Sequence, residues 1–286
     1  MKHVRALILD MDGVLWRGEE VLGDLSALFE RLQAMGLKTV FVTNNATRSV
    51  AQYVARLRAL GLAVGPERIL NSAQAAAYAL QNRLPRDAWV YVLGEEGLRS
   101  TLREAGFRIA NKETKKHGQM AVEPDAVQAV VVALDRQCTY DDLKAATLLV
   151  RRGAYFLGTN PDRTYPTPQG LVPGAGTLIA ALEAATGRQA DIAGKPQPLL
   201  FRLALQRLGT RPEETLVVGD RLETDIAGGQ AAGCLTAVVL SGVTSEEEAL
   251  RWEPAPDLIV PDLTALVTFL ERERRMPGRR VAKEEH

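Results

Sequence analysis

Short apolar runs alternate along this chain with segments in which apolar residues recur every three or four positions. Residues 4–9, VRALIL, form the first run and stop at Asp10. Residues 24–35 place Leu25, Leu28, Phe29, Leu32 and Met35 on one helical face, with Gly36 behind them. That spacing predicts a helix ending at a glycine. KTVFVT at 38–43 is the next strand, and a helix with Val50, Val54, Leu57 and Leu60 follows, closed by Gly61. Strand, helix and strand in this order predict a parallel sheet covered by helices.

The rhythm resumes with strands at 89–93 and 127–134, a helix at 141–152 and a strand at 155–158. Residues 159–176 are rich in proline and glycine and are expected to form a long structured loop. ADIAG at 190–194 then reads as a strand before a helix with Leu199, Leu203 and Leu208. TLVVGD at 215–220 is a strand ending in a carboxylate, and 235–240 and 257–260 are further strands. From Arg272 to the end the chain is polar and unpatterned, so residues 272–286 are expected to fray.

A chain of 286 residues suggests two domains. Lys and Arg total 35 and Asp and Glu total 35, which removes the electrostatic argument for nucleic acid or an anionic membrane as partner. The first residues lack the apolar run of a signal peptide, and no apolar stretch approaches the ~18 residues of a membrane span. Two cysteines, Cys138 and Cys234, suit a reducing compartment, and the cytoplasm is the expected location. His3, His117 and His286 have no metal-ligand spacing.

The candidate chemistry is carboxylate chemistry. Asp10 and Asp12 lie just beyond an apolar strand, and Asp220 ends another. Open parallel sheets bind ligands at the carboxyl ends of their strands. Acids gathered there repel, and a hard divalent cation such as magnesium, which takes oxygen ligands, relieves the repulsion. DxDG alone also fits an ordinary turn. Thr43, Asn44 and Asn45 follow the KTVFV strand and offer a hydroxyl and N–H groups to phosphate; Thr47 serves equally well as a helix cap. Lys195 in GKPQP can neutralise phosphate and the acids, or be a solvated turn lysine. Asp225, in GDRLETD, either joins Asp220 or stabilises the first turn of a helix. Their order and their shared position at strand ends favour one site.

DMDGV at 10–14, TNN at 43–45, GKP at 194–196 and GDRLETD at 219–225 resemble the four motifs of the haloacid dehalogenase superfamily, in order. GTNPD at 158–162, PGAG at 173–176 and ATGRQADIAGKP at 185–196 resemble its NagD-type branch, which includes para-nitrophenylphosphatases, phosphoglycolate phosphatases and pyridoxal phosphate phosphatases. The resemblance extends to about Glu271. It implies a Rossmann-like α/β core from residues 1–81 and 179–271, with an α/β cap, 82–178, inserted between the second and third motifs. It implies Asp10 as nucleophile and Asp12 as general acid and base. Thr43, Asn44 and Asn45 would bind phosphate, with Lys195 as the third-motif lysine. Magnesium would lie on the Asp10 carboxylate, the Asp12 backbone carbonyl and Asp220, supported by Asp225. An acid at Asp12 separates this pattern from the dehalogenases of the superfamily.

The implied activity is hydrolysis of small phosphomonoesters, the partner a phosphorylated metabolite, and one implied assembly a homodimer through the cap. A phosphotransferase and a non-catalytic binding protein on the same fold are the rival readings. Substrate choice falls to groups that reach beyond the phosphate. Tyr165, the aromatic of the 159–176 segment, is the candidate, with packing inside the cap as the alternative.

Overall fold

The computed structural model describes residues 1, 3–111, 120–167 and 169–275. Six parallel strands form the larger sheet, in the order Leu258–Val260, Leu235–Val239, Thr215–Gly219, Ala6–Leu9, Lys38–Thr43, Ile69–Asn71. The N-terminal strand is central and fully buried. Its side chains alternate between two apolar clusters. Leu7 and Leu9 join Leu28, Leu32, Leu57 and Leu266 on one face, while Ala6 and Ile8 join Ala76, Leu200 and Phe201 on the other. Burial on both faces is why the strands read as unbroken apolar runs.

Five parallel strands form the smaller sheet, in the order Asp191–Ile192, Tyr155–Gly158, Val127–Val132, Trp89–Leu93, Arg108–Ile109. The two sheets share one apolar cluster through the facing helices Ser72–Gln81 and Glu96–Glu104, where Ala76, Ala77 and Leu80 meet Leu98 and Leu102. The alanines keep the first of these helices thin enough for close approach. At Gly97 the second helix meets a loop of the larger sheet: an added Cβ would stand 2.6 Å from the Ala46 carbonyl oxygen. The start of that helix thus abuts the loop that follows Thr43–Asn45.

Three expectations change. The 159–176 segment is not wholly loop, since Thr164–Thr167 and Gly170–Pro173 pair as an antiparallel hairpin and Ala175 already opens a helix. The chain also stays with the smaller sheet past residue 179. Ile179 and Leu182 of the helix Ala175–Thr186 pack with Val130, Leu149 and Phe156, and Asp191–Ile192 hydrogen-bonds to the Tyr155–Gly158 strand. A two-residue strand carries too little pattern to declare its sheet. Finally, the helix Leu263–Arg275 runs past Arg272. Arg274 Nη1 donates to the Met35 carbonyl at 2.6 Å, and a bidentate Arg31–Glu271 pair at 2.9 and 3.0 Å ties the preceding turn to the helix Leu25–Ala34. Basic side chains in a last turn also favour the helix dipole. The rest of the expected tail, 276–286, lies outside the described residues.

Candidate active site

Asp10 and Asp220 leave the larger sheet side by side. Leu9 is in register with Val218, and the Asp10 N–H continues the ladder by donating to Val218 O at 2.9 Å. Asp220 Oδ2 accepts the Val243 N–H at 2.9 Å. Gly13 and Gly242 flank this carboxylate, and a Cβ on either would fall on it. Gly13 also has φ of +81°, a conformation that glycine adopts without strain.

Asp225 comes from a π-helical turn, Leu222–Ile226, directly after the strand. The widened turn lets the Asp225 and Ile226 N–H groups share the Arg221 carbonyl, at 3.0 and 3.2 Å. Such turns recur at functional sites. Lys195 follows the Asp191–Ile192 strand of the smaller sheet. The segment leading to it stays bound to the smaller sheet's edge, with Ala193 N–H on Gly158 O at 3.0 Å and Gly194 N–H on Thr159 O at 2.8 Å. Its Nζ donates to Asp10 Oδ1 at 2.6 Å and to Asp225 Oδ1 at 2.5 Å.

Asp10, Asp220 and Asp225 are buried, with carboxylate oxygens within 4.8 Å of one another. Three carboxylates against one ammonium leave a negative surplus that suits a hard divalent cation with oxygen ligands. The electrostatics agree. Burial pushes Asp10 well above the ordinary carboxylate range, Lys195 pulls it back, and Asp225, Asp220 and Asp12 push it up again. Asp220 is pushed up to about 7, by burial first and by Asp225 second. Burial opposes charge on Lys195, but Asp10 and Asp225 outweigh it and hold the ammonium protonated.

The Asp12 carboxylate stands apart from this cluster. It is exposed, and its Oδ1 accepts the Trp16 indole N–H at 3.0 Å. Thr43 is buried at the end of its strand, its Oγ1 accepting the Asn45 N–H at 3.1 Å. Asn45 Oδ1 accepts both the N–H and the hydroxyl of Thr47, at 3.0 and 2.6 Å. The Asn44 side chain is engaged on both ends. Its Nδ2 donates to Lys195 O at 3.1 Å and Asp162 Oδ2 at 3.3 Å, and its Oδ1 accepts the Lys195 N–H at 2.8 Å. A phosphate contact from Asn44 would therefore come from its backbone.

Several neighbours of the site were not singled out from sequence. Tyr53 donates to Asn45 O at 3.3 Å, and burial and the nearby Asp12 raise its pKa. Asn160 Nδ2 donates to Asn44 O at 2.8 Å. Asp162 is raised by burial and opposed by Arg221 and Lys195. Asn160 and Asp162 follow the Tyr155–Gly158 strand, so the strand-end rule that found Asp10 would have found them. Tyr165 lies on the hairpin opposite Val172. Its hydroxyl meets Arg136, whose guanidinium holds Glu95 through two 2.7 Å bonds.

This crowding of acids has a measurable signature. In protein stripped of divalent cations, folded Asp220 is expected to keep its proton to about pH 7, whereas an ordinary aspartate releases it near 3.8. The folded state then binds more protons than the unfolded chain between those limits, so stability falls as pH rises through them. Asp10 and Asp162 shift in the same direction. Glu95, Glu214, Glu248 and Glu271 are lowered, and their opposite contribution is complete near pH 5. The Tm of chelated protein is expected to drop between about pH 5 and about pH 7, and a divalent cation should restore it. A Tm that climbs across that window contradicts the protonated cluster.

A haloacid dehalogenase-like hydrolase model matches residues 7–108, and a second HAD-hydrolase-like model matches residues 192–266. An acid sugar phosphatase of Staphylococcus epidermidis is 33% identical over 272 residues, covering 95% of this chain and 100% of its own length. The p-nitrophenyl phosphatase of Archaeoglobus fulgidus superposes with a TM-score of 0.83 at 34% identity, covering 93% of this chain and 99% of the other. A glycerol phosphate phosphatase of Mycobacterium tuberculosis, solved with magnesium, gives 0.82 at 36% identity over 92% of this chain and 76% of the other. Similarity at this level covers more than nine-tenths of the chain, and the chain belongs to the haloacid dehalogenase-like hydrolases, in their NagD-like phosphatase branch.

Proposed function

We propose that the chain hydrolyses small phosphate monoesters with magnesium, through a phosphorylated Asp10. The observation that carries this reading is Lys195, which bridges Asp10 and Asp225 beside Asp220. The Asp10 carboxylate attacks phosphorus and the ester P–O bond breaks. Asp12 protonates the departing oxygen. Asp12 then takes a proton from the water that attacks the aspartyl phosphate, which frees phosphate and regenerates Asp10. Lys195 and Thr43 stabilise the charge on the phosphoryl oxygens. When bound, magnesium supplies further positive charge beside that group, held by Asp10 and Asp220 with the Asp12 backbone carbonyl.

The block built on the smaller sheet, from residue 82 to about Ile192, acts in this reading as a cap. It brings Asn160, Asp162 and the start of the Glu96–Glu104 helix against the Asn44–Thr47 loop. The Tyr165–Arg136–Glu95 cluster on the same block is where the non-phosphate part of the substrate would be read.

Phosphate release from para-nitrophenyl phosphate and a panel of sugar, polyol and carboxylate phosphates tests the proposal. Activity is expected without an added alcohol acceptor, lost in EDTA and restored by magnesium. Turnover in stringently chelated enzyme would refute the metal's part. Release that needs an acceptor would make the protein a transferase. On the same panel, Tyr165→Ala should change the ranking of substrates; a uniform loss puts recognition elsewhere.

A further inference from the structure

We propose that Trp16 is a positioning residue that holds Asp12 for proton transfer to and from the ester oxygen. This rests on the phosphatase reading above. Asp12 is exposed, whereas Trp16 is fully buried, so the bond between them ties a surface carboxylate to a core side chain. An indole N–H donates and never accepts. Oδ1 of Asp12 therefore faces Trp16 whether the carboxyl is protonated or ionised. The proton given to the leaving oxygen, and later taken from water, is carried by Oδ2.

Trp16 is itself held on several sides. Its backbone N–H reaches Met11 O at 3.4 Å and its carbonyl accepts the Gly13 N–H at 2.7 Å, which closes the turn containing Asp12. It pairs with Val21 in a short antiparallel hairpin. The Arg56 guanidinium, from the helix Val50–Ala59, lies 4.1 Å over the ring centroid, within cation–π reach. Arg56 donates in turn to the Gly18 carbonyl and stands 4.0 Å from Glu19 Oε2. The hairpin and the helix together fix the direction of the donor. Packing alone would not need it, because a phenylalanine fills most of the same space.

The test compares two esters whose leaving groups differ in their need for a proton, para-nitrophenyl phosphate and glycerol phosphate. The parameter is kcat/KM, which ends at departure of the leaving group. In Trp16→Phe, kcat/KM for glycerol phosphate is expected to fall about 10- to 100-fold, as for a misaligned catalytic group, and the aryl ester to change less than about 3-fold. Arg56→Met keeps the N–H but frees one face of the ring, and should show the same selective pattern at about 2- to 5-fold. A purely structural role lowers both esters together. Equal losses in folded Trp16→Phe, or in Arg56→Met should the first variant not fold, overturn the assignment. Wild-type protein inactive on both esters overturns the phosphatase reading itself, and this role with it.

Discussion

Asp10→Asn is expected to abolish turnover, lowering it by about 10⁴- to 10⁶-fold as removal of a covalent nucleophile does. The amide keeps the shape of the side chain but cannot attack phosphorus. The fold should not suffer. Asp10 is buried beside Asp220 and Asp225 with Lys195 as the opposing charge, and Lys195 is expected to keep its bond to Asp225 in the variant. Removing one of the crowded charges is expected to leave Tm of the chelated protein equal or higher. Steady-state turnover well above background in folded Asp10→Asn would remove Asp10 from the chemistry, whatever the remaining acids do.

Lys195→Met has the second largest expected effect, and it acts on both stability and rate. The methionine fills the space of the lysine stem, but Asp10 and Asp225 lose their shared ammonium. Breaking a buried ion pair from one side costs about 3–5 kcal/mol, because the other charge is left uncompensated. At neutral pH the chelated variant should lose stability of that order in urea unfolding. At about pH 5 the loss should shrink, since the carboxylates are then free to protonate. Turnover should fall about 10²- to 10³-fold, the loss typical of one charge-stabilising donor. A variant as stable as wild type at pH 7 would show that solvent or another cation compensates these acids.

Most strands were legible because each is buried on both faces and so appears as an apolar run, VRALIL and TLVVG above all. The Ser72–Gln81 helix was harder to see, since its alanines give little contrast between faces. Asp10, Asp220 and Lys195 were legible as polar residues directly beyond strands. Asp225 was read as a supporting acid, yet it shares Lys195 with Asp10, a pairing set by the π-helical turn rather than by sequence spacing. Asn44 carries the opposite lesson. Its place after Thr43 suggested phosphate, but its amide is fixed by partners 118 and 151 residues away. Such bonds depend on how two sheets meet, and no local pattern encodes that. Trp16 was not singled out, because only the direction of its indole N–H separates a packing role from a positioning one.

The central claim is that phosphate passes through Asp10, and trapping the intermediate tests it most directly. Borohydride converts an acyl phosphate of aspartate to homoserine. Enzyme mixed with substrate and magnesium, quenched in acid, reduced and mapped by mass spectrometry should carry homoserine at position 10. Samples lacking substrate, and the Asp10→Asn variant, should carry none. Homoserine at Asp12, Asp220 or Asp225 instead, or none at any position under conditions of active turnover, would contradict the account.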